Sequence, residues 1–145
     1  MAVTAYLYSK GKELIHEAAM NLSSDTIKVA LCTSSYTPAQ TTHDYFDDIT
    51  NEVAGTGYTA GGATLASVTS TVSGVVYTFD AADVTWSSST ITARYAIIYD
   101  STPGSAATNP LIGYVDFGED KVSSSGNFVI TWNASGIFTD TVAAA

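Results

Sequence analysis

Apolar residues alternate with polar ones along most of this chain. From Thr26 onward they recur at every second position over short stretches, separated by clusters of Gly, Ser, Thr and Asn. A period of two punctuated by turn residues is the pattern of half-buried β-strands. The first clear case is Thr26–Thr33, where Ile27, Val29 and Leu31 alternate. Further strands are predicted at Ala63–Thr69, Val75–Phe79, Val84–Trp86, Ile91–Tyr99, Leu111–Phe117 and Asn127–Trp132. Ser73-Gly74, Ser87-Ser88-Ser89, Ser101–Asn109 and Ser123–Gly126 read as the turns between them. Tyr95–Tyr99 is nearly continuous in apolar character, which suits a central strand covered on both faces.

Two segments have a helical period. In Tyr6–Leu22, Leu7, Leu14, Ile15, Ala18 and Leu22 fall on one face, with Lys10, Lys12, Glu13 and Glu17 on the other. Gly11 lowers the intrinsic stability of that helix by about 1 kcal/mol relative to Ala. Glu13 and Glu17 repel across one turn, so the helix depends on packing back across the sheet. Thr42–Val53 is predicted to be a short helix capped by Thr42, with Tyr45, Phe46 and Ile49 inward and Asp44, Asp47 and Asp48 outward. Gly55, Gly57, Gly61 and Gly62 mark a kinked strand or bulge around Tyr58-Thr59. The expected fold is mainly β (α+β): an antiparallel β-sandwich or barrel with an N-terminal helix packed on the sheet. It forms a single domain over residues 1–145, with short arms expected at 1–7 and 140–145, where the tail DTVAAA has no periodicity.

Charge narrows the partners. Fourteen acids against five bases give a net charge of −9, the wrong sign for neutralising the phosphates of DNA or RNA and for anionic membrane surfaces. No apolar run approaches the roughly 18 residues of a membrane span. The opening MAVTAYLYSKGKEL has no basic segment leading into an apolar one, so no signal peptide and synthesis in a cytoplasm are expected. Cys32, the single cysteine, lies in the apolar run IKVALC and reads as a buried, inert thiol.

Candidate chemistry is sparse. Asp44, Asp47, Asp48 and Glu52 are the densest acidic cluster, but the spacing of a calcium loop is missing, and a solvated acidic face or helix cap is expected. His43 stands beside Asp44, yet no nucleophile or metalloenzyme motif accompanies it or His16. GTGYTAGG lacks the Gly-Lys-Ser/Thr ending of a phosphate loop. Trp86 and Trp132 at strand positions read as core or interface aromatics. Arg94, the only arginine, needs a carboxylate or carbonyl partner if it is buried, with Asp80, Asp83 and Asp116 as candidates. No catalytic residue, metal or cofactor is expected.

Four segments in this order carry a resemblance: SSDTIKVALCTSSYTP, HDYFDDITNEVAGTGYTAGGATL, FDAADVTWSSSTITARYAIIYDST and NPLIGYVDFGEDKVSSSGNFVITWNASGIF. The chain is similar, over about Ser23 to Phe138, to a family of small virion structural proteins of tailed bacteriophages that look like head decoration (capsid cement) proteins. The resemblance implies a protein made in the host bacterial cytoplasm that binds the outer surface of the mature head. There it would bridge major capsid subunits and stabilise the expanded shell. Its expected partners are the major capsid protein and further copies of itself, as a trimer on three-fold capsid sites. The expected capsid contacts are the two ends: Met1, Ala2, Val3, Thr4, Ala5, Tyr6 and Leu7, with Asp140, Thr141 and Val142. Related sequences are also labelled head-fibre or tail proteins. The alternative is therefore a receptor- or glycan-binding module of a tail, baseplate or head fibre, with Tyr36, Tyr45 and Tyr58 as its contact surface.

Overall fold

The computed structural model describes residues 2–143. In chain order these form β1 (Thr4–Leu7), α1 (Ser9–His16), β2 (Ile27–Cys32), a 3₁₀ turn (Phe46–Asp48), β3 (Ala63–Thr64), β4 (Thr69–Ser73), β5 (Val76–Asp80), β6 (Val84–Asp100), β7 (Leu111–Ile130) and β8 (Phe138–Thr141). The strands make two antiparallel sheets, ordered β1-β7-β6-β2-β3 and β4-β5-β8. Both sheets have open edges, so the architecture is a mainly-β sandwich with one helix packed on it, and not a closed barrel.

The middle of the chain departs from the expected run of short strands. Val84–Trp86 and Ile91–Tyr99 are one strand, β6, and Leu111–Phe117 and Asn127–Trp132 are joined in β7, which ends at Ile130. The serine runs are bulges inside the strands. Along Val84–Ala93 of β6 the buried positions are Val84, Trp86, Ser89, Ile91 and Ala93, so one extra residue enters between Trp86 and Ser89 and alternation then resumes. Ser88 and Ser125 both take positive φ, near 50°. The Ser89 hydroxyl lies 2.8 Å from that of Ser123, and the Ser123 hydroxyl accepts the Ile91 N–H at 3.2 Å. Serine serves here because a small hydroxyl fits a buried bulge and satisfies the backbone groups that the bulge frees.

The larger sheet is covered on both faces. One face meets the smaller sheet over a core that includes Val29, Leu31, Phe79, Trp86, Ile98 and Phe128. The other carries an aromatic core of Tyr8, Cys32, Tyr36, Ile97, Tyr99 and Leu111. Residues 96–100 of β6 are accordingly buried throughout, as the apolar run Tyr95–Tyr99 anticipates. The predicted helix at Thr42–Val53 shrinks to the 3₁₀ turn, and Thr42 does not cap it. The Asp48 carboxylate takes the Asp44 N–H at 2.8 Å. Phe46 and Asp47 donate their N–H groups to Asn109 and Ala106 of the β6–β7 loop, and Leu111 donates to Asp44 O. Phe46 stacks on Tyr99 with ring centres 4.1 Å apart. Tertiary hydrogen bonds thus replace helical ones along this segment.

The N-terminal helix is also shorter than predicted. Tyr6 and Leu7 belong instead to β1, which pairs with β7 (Thr4 opposite Asp116, Leu7 opposite Gly113), so the ladder wins over the helical period at these two residues. Helix α1 stops at His16, and Ala18 takes φ 55°, turning the chain so that Met20 and Leu22 reach the core. Gly11 has a role that composition hides: a Cβ at this position would lie 2.2 Å from the Leu111 carbonyl oxygen, so glycine lets the helix sit directly on β7. Gly11→Ala should therefore destabilise the fold by about 1–3 kcal/mol, even though Ala is the better helix former by about 1 kcal/mol. Urea unfolding of the variant against the parent checks this; an equal or higher midpoint would mean that α1 can lift away from β7 at little cost.

Candidate contact surface

Within the described residues, the two end segments singled out in the sequence contribute strands to the sheets. Thr4–Leu7 form β1, with Ala2 and Val3 leading into it. Asp140 and Thr141 belong to β8, opposite Tyr77 and Val76, and Val142 donates its N–H to Val75 O at 2.9 Å. Residues 1, 144 and 145 of the expected arms lie outside the described residues. Both strands are sheet edges, and the fold places them on one side of the sandwich. Ala5, Tyr6 and Leu7 line a groove of about 290 Å³ together with Ile137, Phe138 and Thr139. Leu7, Asp140 and Val142 share another, of about 460 Å³.

A larger concavity lies on the same side. Past the Thr4–Asp116 pair, β7 continues from Phe117 to Ile130 with β6 as its only strand partner among the described residues. Its outer edge borders a groove of about 700 Å³ lined by Val3, Phe117, Val122, Phe128, Val129 and Trp132. Val3, Tyr6, Val122 and Val129 are exposed. Neighbouring apolar side chains along an open strand edge suit the addition of a partner strand or loop, with the backbone supplying hydrogen bonds and the groove receiving side chains. The valines of β7 escape a sequence reading because alternation alone does not tell which strand edge is left open.

The other candidates are absorbed into structure. Glu52 accepts the Tyr58 hydroxyl and the Gly61 N–H, each at 2.6 Å, and the Tyr58 oxygen accepts the Leu31 N–H at 2.9 Å. This carboxylate fastens the glycine-rich loop to β2. The loop lies flat there because Gly62 has φ 70° and a Cβ on it would overlap Val29 O. The tyrosines proposed as a contact surface do not form one. Tyr36 is buried, Tyr58 is half-buried and held by Glu52, and Tyr45 is half-buried in a bridge to Pro110. Trp86 is core, and Trp132 is half-buried with its Nε1–H on Ala82 O at 3.1 Å.

His43 ends a hydrogen-bonded chain. Its Nδ1 is 2.8 Å from the Tyr36 hydroxyl, which is 2.9 Å from the Tyr8 hydroxyl. Burial pushes the Tyr36 phenol up to about 12 and raises Tyr8 further. Burial, aided by the Glu52 charge, likewise pushes the Cys32 thiol up to about 12, which keeps it protonated and unreactive. Of the three possible partners for Arg94 the fold selects Asp116, in a two-point contact at 2.6 and 3.3 Å, with the Gly118 N–H at 2.7 Å as a further donor. Arg94 holds the Asp116 carboxyl below the usual range, with Gly118 assisting. Asp83 instead accepts the Trp132 N–H, and Asp80 keeps one buried carboxylate oxygen without a partner among the described residues.

Among the described residues no three His, Cys, Asp or Glu side chains converge as a metal site, and no helix is long and apolar enough to cross a membrane. A scan against protein-family models and searches of the curated proteins and of the solved structures match nothing to this chain.

Asp100 offers a pH test of this bonding. It is buried at the end of β6 and accepts the Thr102 N–H at 2.8 Å. Burial raises its carboxyl pKa, the nearby Asp25 adds to that, and Thr102 opposes it. A carboxyl raised on folding contributes its stability below its unfolded value, and the contribution is lost as pH rises through the folded value. Asp100→Asn keeps an acceptor oxygen and carries no charge. It should raise the urea midpoint at neutral pH and change it little at about pH 3, where the parent carboxyl is protonated in both states. A lower midpoint at neutral pH would mean that the ionised form is the one that the fold favours.

Proposed function

We propose that this chain is a decoration protein of a tailed-phage head. It binds the outer surface of the mature shell and stabilises it by bridging major capsid subunits, without turnover of a substrate. The observation that carries this reading is the open side of the sandwich, where β1 and the free edge of β7 flank a large groove of mixed lining, with exposed Val3, Val122 and Val129 beside Lys121, Asn127 and Asn133. A rigid β-module with an unpaired edge can add to a neighbouring chain by backbone pairing, which needs no cofactor. The net charge of −9 discourages contact with packaged DNA. Many equivalent sites on a shell turn modest single contacts into firm attachment. Preference for the expanded shell over its precursor is enough to stabilise it.

The resemblance of the four quoted segments points to the same role. The receptor- or glycan-binding alternative is left without its proposed aromatic surface, because Tyr36 and Tyr58 are committed to internal hydrogen bonds.

Cryo-electron microscopy of the source virion tests the reading. Density for this chain repeated over the head lattice, with β1 and β7 against capsid subunits, is the expected result, and the same map shows whether copies group in threes. Density confined to the tail, or absent from the particle, would sink the proposal. In rebinding to undecorated heads, Val3→Asp with Val122→Asp should reduce bound copies by about tenfold or more. Circular dichroism should stay unchanged, since both residues are exposed.

A further inference from the structure

The smaller sheet reaches beyond the layer that it covers. Phe79 at its centre is fully buried. Strand alternation puts Tyr77 and the turn residue Val75 on the face of Phe79, and Asp140 and Val142 on the face of Phe138. The register aligns these positions: Ser70, Phe79 and Phe138 form one row, and Val72, Tyr77 and Asp140 the next row on that face. The face that packs on the core therefore continues outward to Val72, Val75 and Val142, which are 70%, 42% and 72% exposed. Beside this shelf runs the groove of about 460 Å³ against α1, lined by Leu7, Ile15, Tyr77 and Phe138 and bordered by Lys12, His16 and Asp140.

We propose that this shelf is a self-contact, through which two copies of the chain associate about a two-fold axis. Copies that each carry −9 repel unless they meet where charge is scarce or complementary, and the shelf meets both conditions. Residues 53–79, which include β4, its turn and most of β5, contain no Asp, Glu, Lys, Arg or His. The shelf's ion pair is of opposite sign: Lys12 Nζ lies 3.6 Å from Asp140 Oδ2, with both side chains about half exposed. A two-fold axis presents each copy's Lys12 to the second copy's Asp140, and the reverse, so the patch is complementary to itself. The exposed valines supply the apolar area that so exposed a pair of charges cannot. The adjoining edge strand β4, Thr-Ser-Thr-Val-Ser, carries none of the lysines or prolines that usually guard an edge. The contact belongs to the free chain and does not rest on the decoration reading.

Sedimentation velocity of the full chain at micromolar concentrations tests it, with circular dichroism as the control for folding. The parent should be a dimer and Val142→Asp a folded monomer. Lys12→Glu and Asp140→Lys should each be monomeric alone and form a heterodimer when mixed. An ion pair that acts only within one chain could not give that recovery. A monomeric parent, a trimer, an oligomer indifferent to Val142→Asp, or no recovery on mixing would each overturn the proposal.

Discussion

Everything else in the molecule hangs on the pairing of β6 with β7 along nearly their full length. The ladder runs from Val84 opposite Ile130 to Tyr99 opposite Leu111. Strands of this length must bend to stay packed, and the bend is made where Ser89, Ser123 and Gly126 meet. A larger side chain at Ser89 would have no room, and an apolar one would leave the Ser123 hydroxyl without that partner. Once the hairpin is fixed, β2 pairs with its β6 edge, β1 with its β7 edge, and α1 rests on β7 at Gly11.

The acidity of the chain is put to use within this frame. Glu52 binds a loop to β2, Asp48 ends a short turn, Asp100 secures the start of the β6–β7 loop, and Asp116 bridges to Arg94. Each of these carboxylates accepts N–H or O–H donors, most of them from backbone that no strand ladder pairs. A cluster such as Asp44, Asp47, Asp48 and Glu52 looks like a site in one dimension. In three dimensions Asp48 holds the Asp44 N–H and Glu52 holds Tyr58 and Gly61, so the cluster divides.

The surface divides in a way that suits a protein with two kinds of neighbour. One open side holds the edges β1 and β7 and the large groove. The overhanging end of the smaller sheet holds the uncharged hairpin and the Lys12–Asp140 pair. Partners reaching the first would be received by strand edge and groove, and those reaching the second by an apolar shelf with matched charges.

By itself the sequence determined the class of fold, the strand nature of Thr26–Thr33 and Tyr95–Tyr99, the burial of Cys32 and the need of Arg94 for an acceptor partner. Those follow from local periodicity and from the energetics of burying single groups. The tertiary structure alone decided the rest: that serine runs are bulges within long strands, that Tyr6 and Leu7 join a ladder instead of a helix, that Asp116 is the partner of Arg94, and that the segments Thr4–Leu7 and Phe138–Thr141 are strands bordering one groove. A serine run is compatible with a turn or a bulge, and a short segment such as Thr4–Leu7 gains more from pairing with β7 than from one added helical turn. Contacts between residues far apart in the chain settle such choices, and the local pattern does not contain them.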